Sequence, residues 1–303
     1  MYDFLISGDE NINVLSLFDG MSCGQIALNR ANIKYDTYYA SEINKNSIKI
    51  TQKNYPHTIQ LGNVIDLNEE ILTGLKKPKL MIGGSPCQNL SRIVKNKSKH
   101  NQGLDGEKSK LFWEYVRVKD IVNPDYFLLE NVESMSNEDK EIITETLEVE
   151  PIMIDSGLVS AQERKRYYWT NIPGVELPSD KGLVLRDIME NDVDKKYYYS
   201  NDFIFHGLDQ RVAATLDLFN YDMLKRVYSP HFKSPTLTAV SGGHQQKKVF
   251  DNGLCRKLTP LEYERLQTVP EGYTKGVTDG HRYTMLGNGW TVDIIAHIVS
   301  YLK

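Results

Sequence analysis

The run Gly83-Gly84-Ser85-Pro86-Cys87-Gln88 follows the apolar stretch Leu80-Met81-Ile82 and puts one thiol on a rigid turn at a strand exit. Two glycines permit tight backbone geometry, Pro86 restricts the residue before the thiol, and a helix-like segment further on would favour the thiolate. A lone Cys after a strand is most often an inert core residue, so its company decides the reading. Glu130-Asn131-Val132 closes a second apolar run, Tyr126-Phe127-Leu128-Leu129, which puts a carboxyl in partly buried ground where it can share a proton. Asn131 is expected to be structural, tying down the Pro86-Cys87 backbone. Arg164 and Arg166, two apart in Gln162-Glu163-Arg164-Lys165-Arg166, share one face of a strand; an ordinary phosphate-binding pair is the modest reading of that spacing.

A further strand exit, Val14 to Phe18, runs into Asp19-Gly20-Met21-Ser22-Cys23-Gly24 and then a helix, so backbone amides and a helix N-terminus face any guest there. The triple-glycine fingerprint of dinucleotide sites is absent. Glu42 follows the next strand at the distance where a carboxylate grips ribose hydroxyls. A nucleoside cofactor without a pyrophosphate suits these residues, S-adenosylmethionine being the commonest; a tight turn with no ligand is the alternative.

The elements that must position these groups alternate. Strands are predicted at Val14–Phe18, Thr37–Ala40, Thr58–Leu61, Leu80–Ile82 and Tyr126–Leu129, then an antiparallel pair at Ile152–Ile154 and Tyr167–Thr170. Helices are predicted at Gln25–Ala31, Lys45–Tyr55, Lys110–Val122 and Lys140–Glu148, which together spell a largely parallel sheet. After Pro173 the rhythm gives way to Gly, Pro, Tyr and Asp in irregular order, a smaller loop-rich lobe. Helical pattern returns at Thr259–Gln267, with Thr259 as N-cap and Pro260 in the first turn, and at Thr291–Leu302. The expected organisation is a first domain over 1–172, a smaller domain over 173–254, and a segment 255–303 that returns to the first.

The chain has 303 residues, 40% hydrophobic and 25% charged, the balance of a soluble globule with two lobes. No apolar run approaches the roughly 20 residues that span a bilayer, and no membrane partner is expected. Met1 to Glu10 lacks a basic n-region, so no signal peptide is expected. Three cysteines, Cys23, Cys87 and Cys255, cannot all pair and show no metal-ligand spacing, which fits free thiols in a reducing cytoplasm. The net charge of −4 argues only weakly against nucleic acid, because Arg92, Lys95, Lys97, Lys99 and His100 crowd one loop and Lys247-Lys248 another.

The ordered motifs LSLFDG, GGSPCQ, LLENV, QERKR, RKLTPLEYERLQ and GNGWTV resemble those of DNA (cytosine-5)-methyltransferases over nearly the whole chain. The first is closest to the animal de novo enzymes, with Ser22 and Cys23 in place of two usual glycines. The resemblance implies that the first domain, over 1–172, is a doubly wound, Rossmann-like α/β catalytic domain that binds S-adenosylmethionine, and that the second, over 173–254, is a small irregular target-recognition domain. Phe18 would stack on adenine, Glu42 would bind ribose, and the backbone at Val64 would read the adenine edge, with Asp19, Gly20, Pro86, Leu111, Asn288 and Trp290 completing the pocket. Asn63 stands where the family usually has Asp, and its carbonyl can accept the same hydrogen bond.

Cytosine C5 is a weak nucleophile until another nucleophile adds at C6, and a thiolate does this best. The resemblance makes Cys87 that nucleophile. Glu130 would hold N3 and the amino group, Arg166 would stabilise charge at O2, Gln162 would orient the arginines, and Arg164 would lie near the target phosphate. The base must leave the duplex to be reached. In the loop 88–108, Ser91 and Arg92 would contact the backbone, with Ile93 as a wedge. Thr236, Gly243, Gln245 and Lys247 are the expected DNA-reading residues of the small lobe, beside Gln246 and Lys248. The implied partner is double-stranded DNA, met by a monomer in a prokaryotic or phage-infected cytoplasm, with a cognate restriction endonuclease acting separately. An RNA (tRNA) cytosine-5 methyltransferase, or a silent DNA-binding paralogue, is the alternative. The sizeable insert and the Pro-Cys-Gln wording weigh against the first, and the presence of Cys87, Glu130 and Arg166 against the second.

Overall fold

The computed structural model describes residues 11–86, 110–240 and 242–302. Contacts divide the chain into two units, one holding Met1–Met153, Arg166–Val175 and Ala296–Lys303, the other Ile154–Lys165 and Glu176–Ile295. The segment 255–295 thus groups with the second unit, and only the last few residues join the first. The second unit also begins earlier than the composition change at Pro173 suggested.

The first unit is built on a seven-stranded sheet of order β3-β2-β1-β4-β5-β7-β6. Its strands are β1 Ile12–Leu17, β2 Tyr35–Ser41, β3 Ile59–Gln60, β4 Leu80–Gly83, β5 Tyr126–Val132, β6 Ile152–Asp155 and β7 Lys165–Thr170. β1 pairs in parallel with β2 and β4, β2 with β3, and β4 with β5, whereas β7 runs antiparallel to β5. Because β1 lies between β2 and β4, its carboxyl end is the point where strand order reverses, the place where such sheets hold ligands.

Helices α1 Cys23–Arg30, α2 Lys45–Asn54, α3 Glu69–Thr73, α4 Leu111–Val122 and α5 Asn137–Leu147 connect the strands. Their starts follow local chemistry: Asn44 accepts from Asn46 N and Ser47 N, and Ser136 accepts from Asp139 N, satisfying amides that have no partner inside the helix. The central strands read as continuous apolar runs because both of their faces are covered. Leu15, Leu17, Met81, Phe112, Tyr115, Val118, Leu129 and Trp169 form the core.

The second unit is more regular than its sequence suggested. A five-stranded sheet of order β12-β11-β10-β9-β8 is made from β8 Phe203–Phe205, β9 Val212–Leu216, β10 Arg226–Tyr228, β11 Lys248–Asp251 and β12 Leu254–Lys257. Helices α6 Asp222–Lys225, α7 Pro260–Leu266 and α8 Asp279–Asn288 accompany it, and α9 Val292–Val299 is divided, its residues from Ala296 onward belonging to the first unit. α7 begins with a capping box: Thr259 accepts from Glu262 N, and the Glu262 side chain accepts from Thr259 N. Among the described residues no helix is long and apolar enough to cross a membrane.

Candidate active site

In the first unit, the carboxyl ends of β1, β2, β4 and β5 gather the chemistry-bearing residues. The turn after β1 is tightly wound: Phe18, Gly20 and Ser22 all take left-handed φ, at 57°, 59° and 65°. Two are not glycine, and strain of this kind persists only where neighbours enforce it. Glu42 is one enforcer. Its Oε2 accepts from Gly20 N at 2.8 Å while Oε1 accepts from Ile43 N at 2.8 Å and Asn44 N at 2.7 Å. A carboxylate oriented by three backbone donors retains acceptor capacity for hydroxyl groups. Beneath the turn, Gly24 lets α1 approach the sheet, since a Cβ there would meet Ile82 Cδ1 at 2.4 Å and the Tyr38 hydroxyl at 2.5 Å.

Asp19 points into that packing. Tyr38 Oη donates to its Oδ1 at 2.8 Å, and Oδ2 is buried with no hydrogen-bond partner among the described residues. Burial pushes its carboxyl up to about 6, against the opposing pull of neighbouring hydroxyls. Phe18 is partly buried against the core. Val64 is buried, and Asn63 caps its short turn by accepting from Ile65 N at 3.3 Å. Arg117, which sequence reasoning missed, fixes that turn by donating to Leu67 O at 2.7 Å and Val64 O at 3.1 Å. With more than forty residues between them, no local spacing announces the contact. Ile43 and Ile65 were also missed: they directly follow Glu42 and Val64 and are 70% and 59% exposed, unusual for isoleucine beside a candidate pocket. Leu111, expected at the cofactor, packs against the core, and Pro86 is partly exposed.

The second half of the site comes from β5 and β7. Val132 lies opposite Arg166 in the antiparallel register, so Glu130, two residues back on the same face, is Arg166's diagonal neighbour. Arg166 Nε meets Glu130 Oε1 at 2.9 Å, and both side chains are largely shielded. Asn131, on the opposite face, donates to Ser85 Oγ at 3.1 Å, so β5 braces the strand exit that leads to the thiol. Leu17, Gly83 and Leu129 are in register across β1, β4 and β5, which places the turn at Phe18, the exit at Gly84 and Glu130 side by side. The expectations for Cys87, Ser91, Arg92 and Ile93 lie outside the described residues.

In the second unit, the expected nucleic-acid contacts are spent differently. Gln162 is fully buried: its amide donates to Leu266 O at 3.2 Å and Gln267 Oε1 at 3.1 Å, and its carbonyl accepts from Leu237 N at 2.7 Å. Arg164 is buried too, donating to Leu237 O at 3.0 Å and Gly289 O at 3.1 Å rather than presenting a cation to solvent. Thr236 turns its hydroxyl to Glu163 O at 2.7 Å. Gln267 completes the hub, with donation to Leu286 O at 2.6 Å and acceptance from Thr291 Oγ1 at 2.9 Å. The motifs around 162, 237, 267 and 289 are therefore one buried hydrogen-bond network. Gln246 and Lys248 are buried, whereas Gly243 and Gln245 are exposed and Lys247 partly so. Asn288 ends α8 exposed, followed by a partly buried Trp290. Among the described residues no cluster of His, Cys, Asp and Glu is arranged to hold a metal ion.

The chain has the fold of solved methyltransferases over nearly its whole length, a Rossmann-like α/β methyltransferase fold. A methyltransferase of Entamoeba histolytica, EhMeth, has a TM-score of 0.74 at 19% identity, covering 97% of this chain and 98% of that one. The Dnmt2 methyltransferase of S. pombe has a TM-score of 0.71 at 21% identity, with 97% and 98% covered. The family model of C-5 cytosine-specific DNA methylases matches residues 12–303, and the chain belongs to that family. Type II methyltransferase M1.ScrFI of Lactococcus lactis subsp. cremoris is 27% identical over 93% of this chain and 75% of its own length. Orphan methyltransferase M.SPBetaI of Bacillus phage SPbeta is 22% identical, with 96% and 97% covered.

Proposed function

We propose that this protein methylates C5 of a flipped-out cytosine in double-stranded DNA, using S-adenosylmethionine as donor and Cys87 as the nucleophile that adds to C6. The observation that carries the reading is the Glu130–Arg166 pair at 2.9 Å, held by strand register beside the exit that leads to Cys87. A shielded carboxylate and guanidinium on one face can engage adjacent polar atoms of a planar ring: Glu130 the N3 and amino edge, Arg166 the oxygen at C2. Addition of sulfur to C6 puts electron density on C5 and on that oxygen, where Arg166 offsets it. C5, activated in this way, would take the methyl group that the donor supplies, the donor leaving as a neutral thioether, and loss of the C5 proton to water would then let the Cys87 sulfur leave and restore the ring.

The cofactor would supply an electrophilic methyl group. The residues fit a nucleoside: Glu42 is pre-oriented for ribose hydroxyls, Phe18 and the exposed Ile43 and Ile65 offer apolar surface for a base, and the Asn63–Val64 turn offers backbone atoms for its edge. Asn288 and Trp290 are the remaining proposed contacts. Asp19, Gly20, Pro86 and Leu111 act as the frame. Target reading is assigned to the loop bearing Gly243, Gln245 and Lys247, in a monomeric cytoplasmic enzyme of a bacterium or its phage. The family and the type II relatives support this reading.

The test is Cys87→Ser. Conversion sequencing of DNA from expressing cells should show site-specific methylation with the wild type and none with the variant, at unchanged melting temperature and cofactor affinity. Methylation by Cys87→Ser at near wild-type rate ends the mechanism.

A further inference from the structure

Lys248 opens β11 with an ammonium group that does not face solvent: the residue is 2% exposed. Nζ donates to His244 O at 2.6 Å and Gln246 O at 3.1 Å, and it lies 5.7 Å from the centre of the Tyr199 ring. The same ring lies 5.6 Å from the His244 imidazole. Two further bonds pin the base of the segment, from Lys247 N to Tyr263 Oη at 2.9 Å and from Leu258 N to Lys247 O at 2.8 Å.

These contacts fix a shape. Turning the carbonyls of residues 244 and 246 inward onto one cation leaves the intervening Gln245 outward, and Gly243, at φ 66°, reverses the chain before it. Gln246 is buried and unavailable to a ligand, so among the described residues of the turn His244 and Gln245 are the exposed side chains that carry hydrogen-bonding groups. An apolar residue at 248 would leave two inward carbonyls without their donor. The ammonium is costly to hold there: burial first, then Lys247 and Lys257, lowers its pKa to about 8.

We propose that Lys248 is a positioning residue for sequence readout, an internal cation that folds the segment 242–247 so that His244 and Gln245 are presented to base edges. The inference rests on the assignment of DNA reading to this loop and names the group that gives the loop its form. Lys248 acts from inside the loop, while the residues beside it meet the DNA.

The experiment uses the full-length enzyme on a randomised duplex library, with methylated sites read by conversion sequencing. The variants are His244→Ala, Gln245→Ala, Lys248→Met and Lys248→Arg, each checked for melting and cofactor binding. Gln245→Ala or His244→Ala should relax preference at a defined position, and Lys248→Met should relax the same position by roughly tenfold or more. Turnover on the best site should fall less than discrimination does, and Lys248→Arg, which keeps donors and charge, should recover part of the preference. If the reader variants relax the site while Lys248→Met keeps the wild-type profile, the positioning role is overturned and loop reading stands. If neither reader variant changes the profile, loop reading falls, and the positioning role with it. Should Lys248→Met fail to fold, Tyr199→Leu, which removes the ring beneath both the ammonium and His244, carries the same expectation and the same refutation.

Discussion

At Asp19 the first unit buries a carboxyl directly behind the strained turn of the proposed cofactor site. Its folded pKa, raised to about 6, lies above the ordinary carboxylate value, so the group favours folding in its protonated form. That contribution is fully present below about pH 4 and is lost as the pH rises through 6. Asp19→Asn, which imitates the protonated acid, should therefore gain stability over wild type between pH 5 and 8, by roughly 3 kcal/mol at most. Urea denaturation at both pH values measures it, and an equal difference at pH 5 and pH 8 would rule it out. Glu42, bonded to the same turn, is an acceptor for three backbone N–H groups in addition to its proposed ribose contact. Glu42→Ala should weaken S-adenosylmethionine binding by about 1.5–3 kcal/mol through loss of charge-assisted bonds. Calorimetry on the free protein should show it, and unchanged affinity in both Glu42→Ala and Phe18→Ala would move the cofactor elsewhere.

Much of the first unit was legible because its pattern is strong: β1, β4 and β5 are rich in apolar residues and α2 begins at a good cap, whereas α5 starts at Asn137, ahead of the expected Lys140, and the short α3 was not read. The second sheet was not, because its strands span only three to five residues and one pairing is interrupted by a register shift at Val227/Tyr228. α8 was missed for a similar reason: Asp279-Gly280-His281 opens it with weak helix formers. At the site, residue type singled out Glu130, Arg166 and Asn131, but not that Glu130 and Arg166 pair with each other at 2.9 Å or that Asn131 donates to Ser85. The burial of Gln162 and Arg164 did not show, since polar side chains give no local sign that distant backbone groups will consume them. Tertiary context also explains the motif at 256–267. Arg256 is fully buried between Asp251, at 2.6 Å, and Glu262, at 2.7 Å, and joins β12 to α7. Breaking a buried pair strands a charge, so Arg256→Met should cost about 3–5 kcal/mol, while Arg256→Met with Glu262→Gln should cost less than the separate losses combined. Additive losses in denaturant titrations would contradict the network. Gly287→Ala tests packing in the same unit, because its Cβ would meet Thr238 and Ala239 backbone atoms at 2.3–2.4 Å. About 1–3 kcal/mol should be lost, and a melting temperature equal to wild type would show that the approach is not tight.

Across the whole molecule, the charge balance sets how an acidic chain can hold a polyanion. Acidic residues outnumber Lys and Arg by 40 to 36, so the global field repels DNA and binding must draw on local cations. The structure removes several candidates from that role: Arg164, Arg256 and Lys248 are buried and engaged internally. A basic run that remains is Lys95, Lys97 and Lys99, beside Arg92 and His100 in the segment after Cys87. If these lysines supply phosphate contacts, each releases counterions on binding, and each lost contact should flatten the dependence of log affinity on log salt by about 0.9. The triple change Lys95→Ala, Lys97→Ala and Lys99→Ala should therefore reduce that slope by roughly 2–3 while leaving the methylated sequence set unchanged, because phosphate contacts position without reading. Titrations of duplex DNA between low and physiological salt measure the slope, and conversion sequencing measures the sequence set. A slope equal to wild type would place the phosphate contacts in the second unit, on residues such as Lys247. An altered sequence set would make the 88–108 segment a reader as well as an anchor.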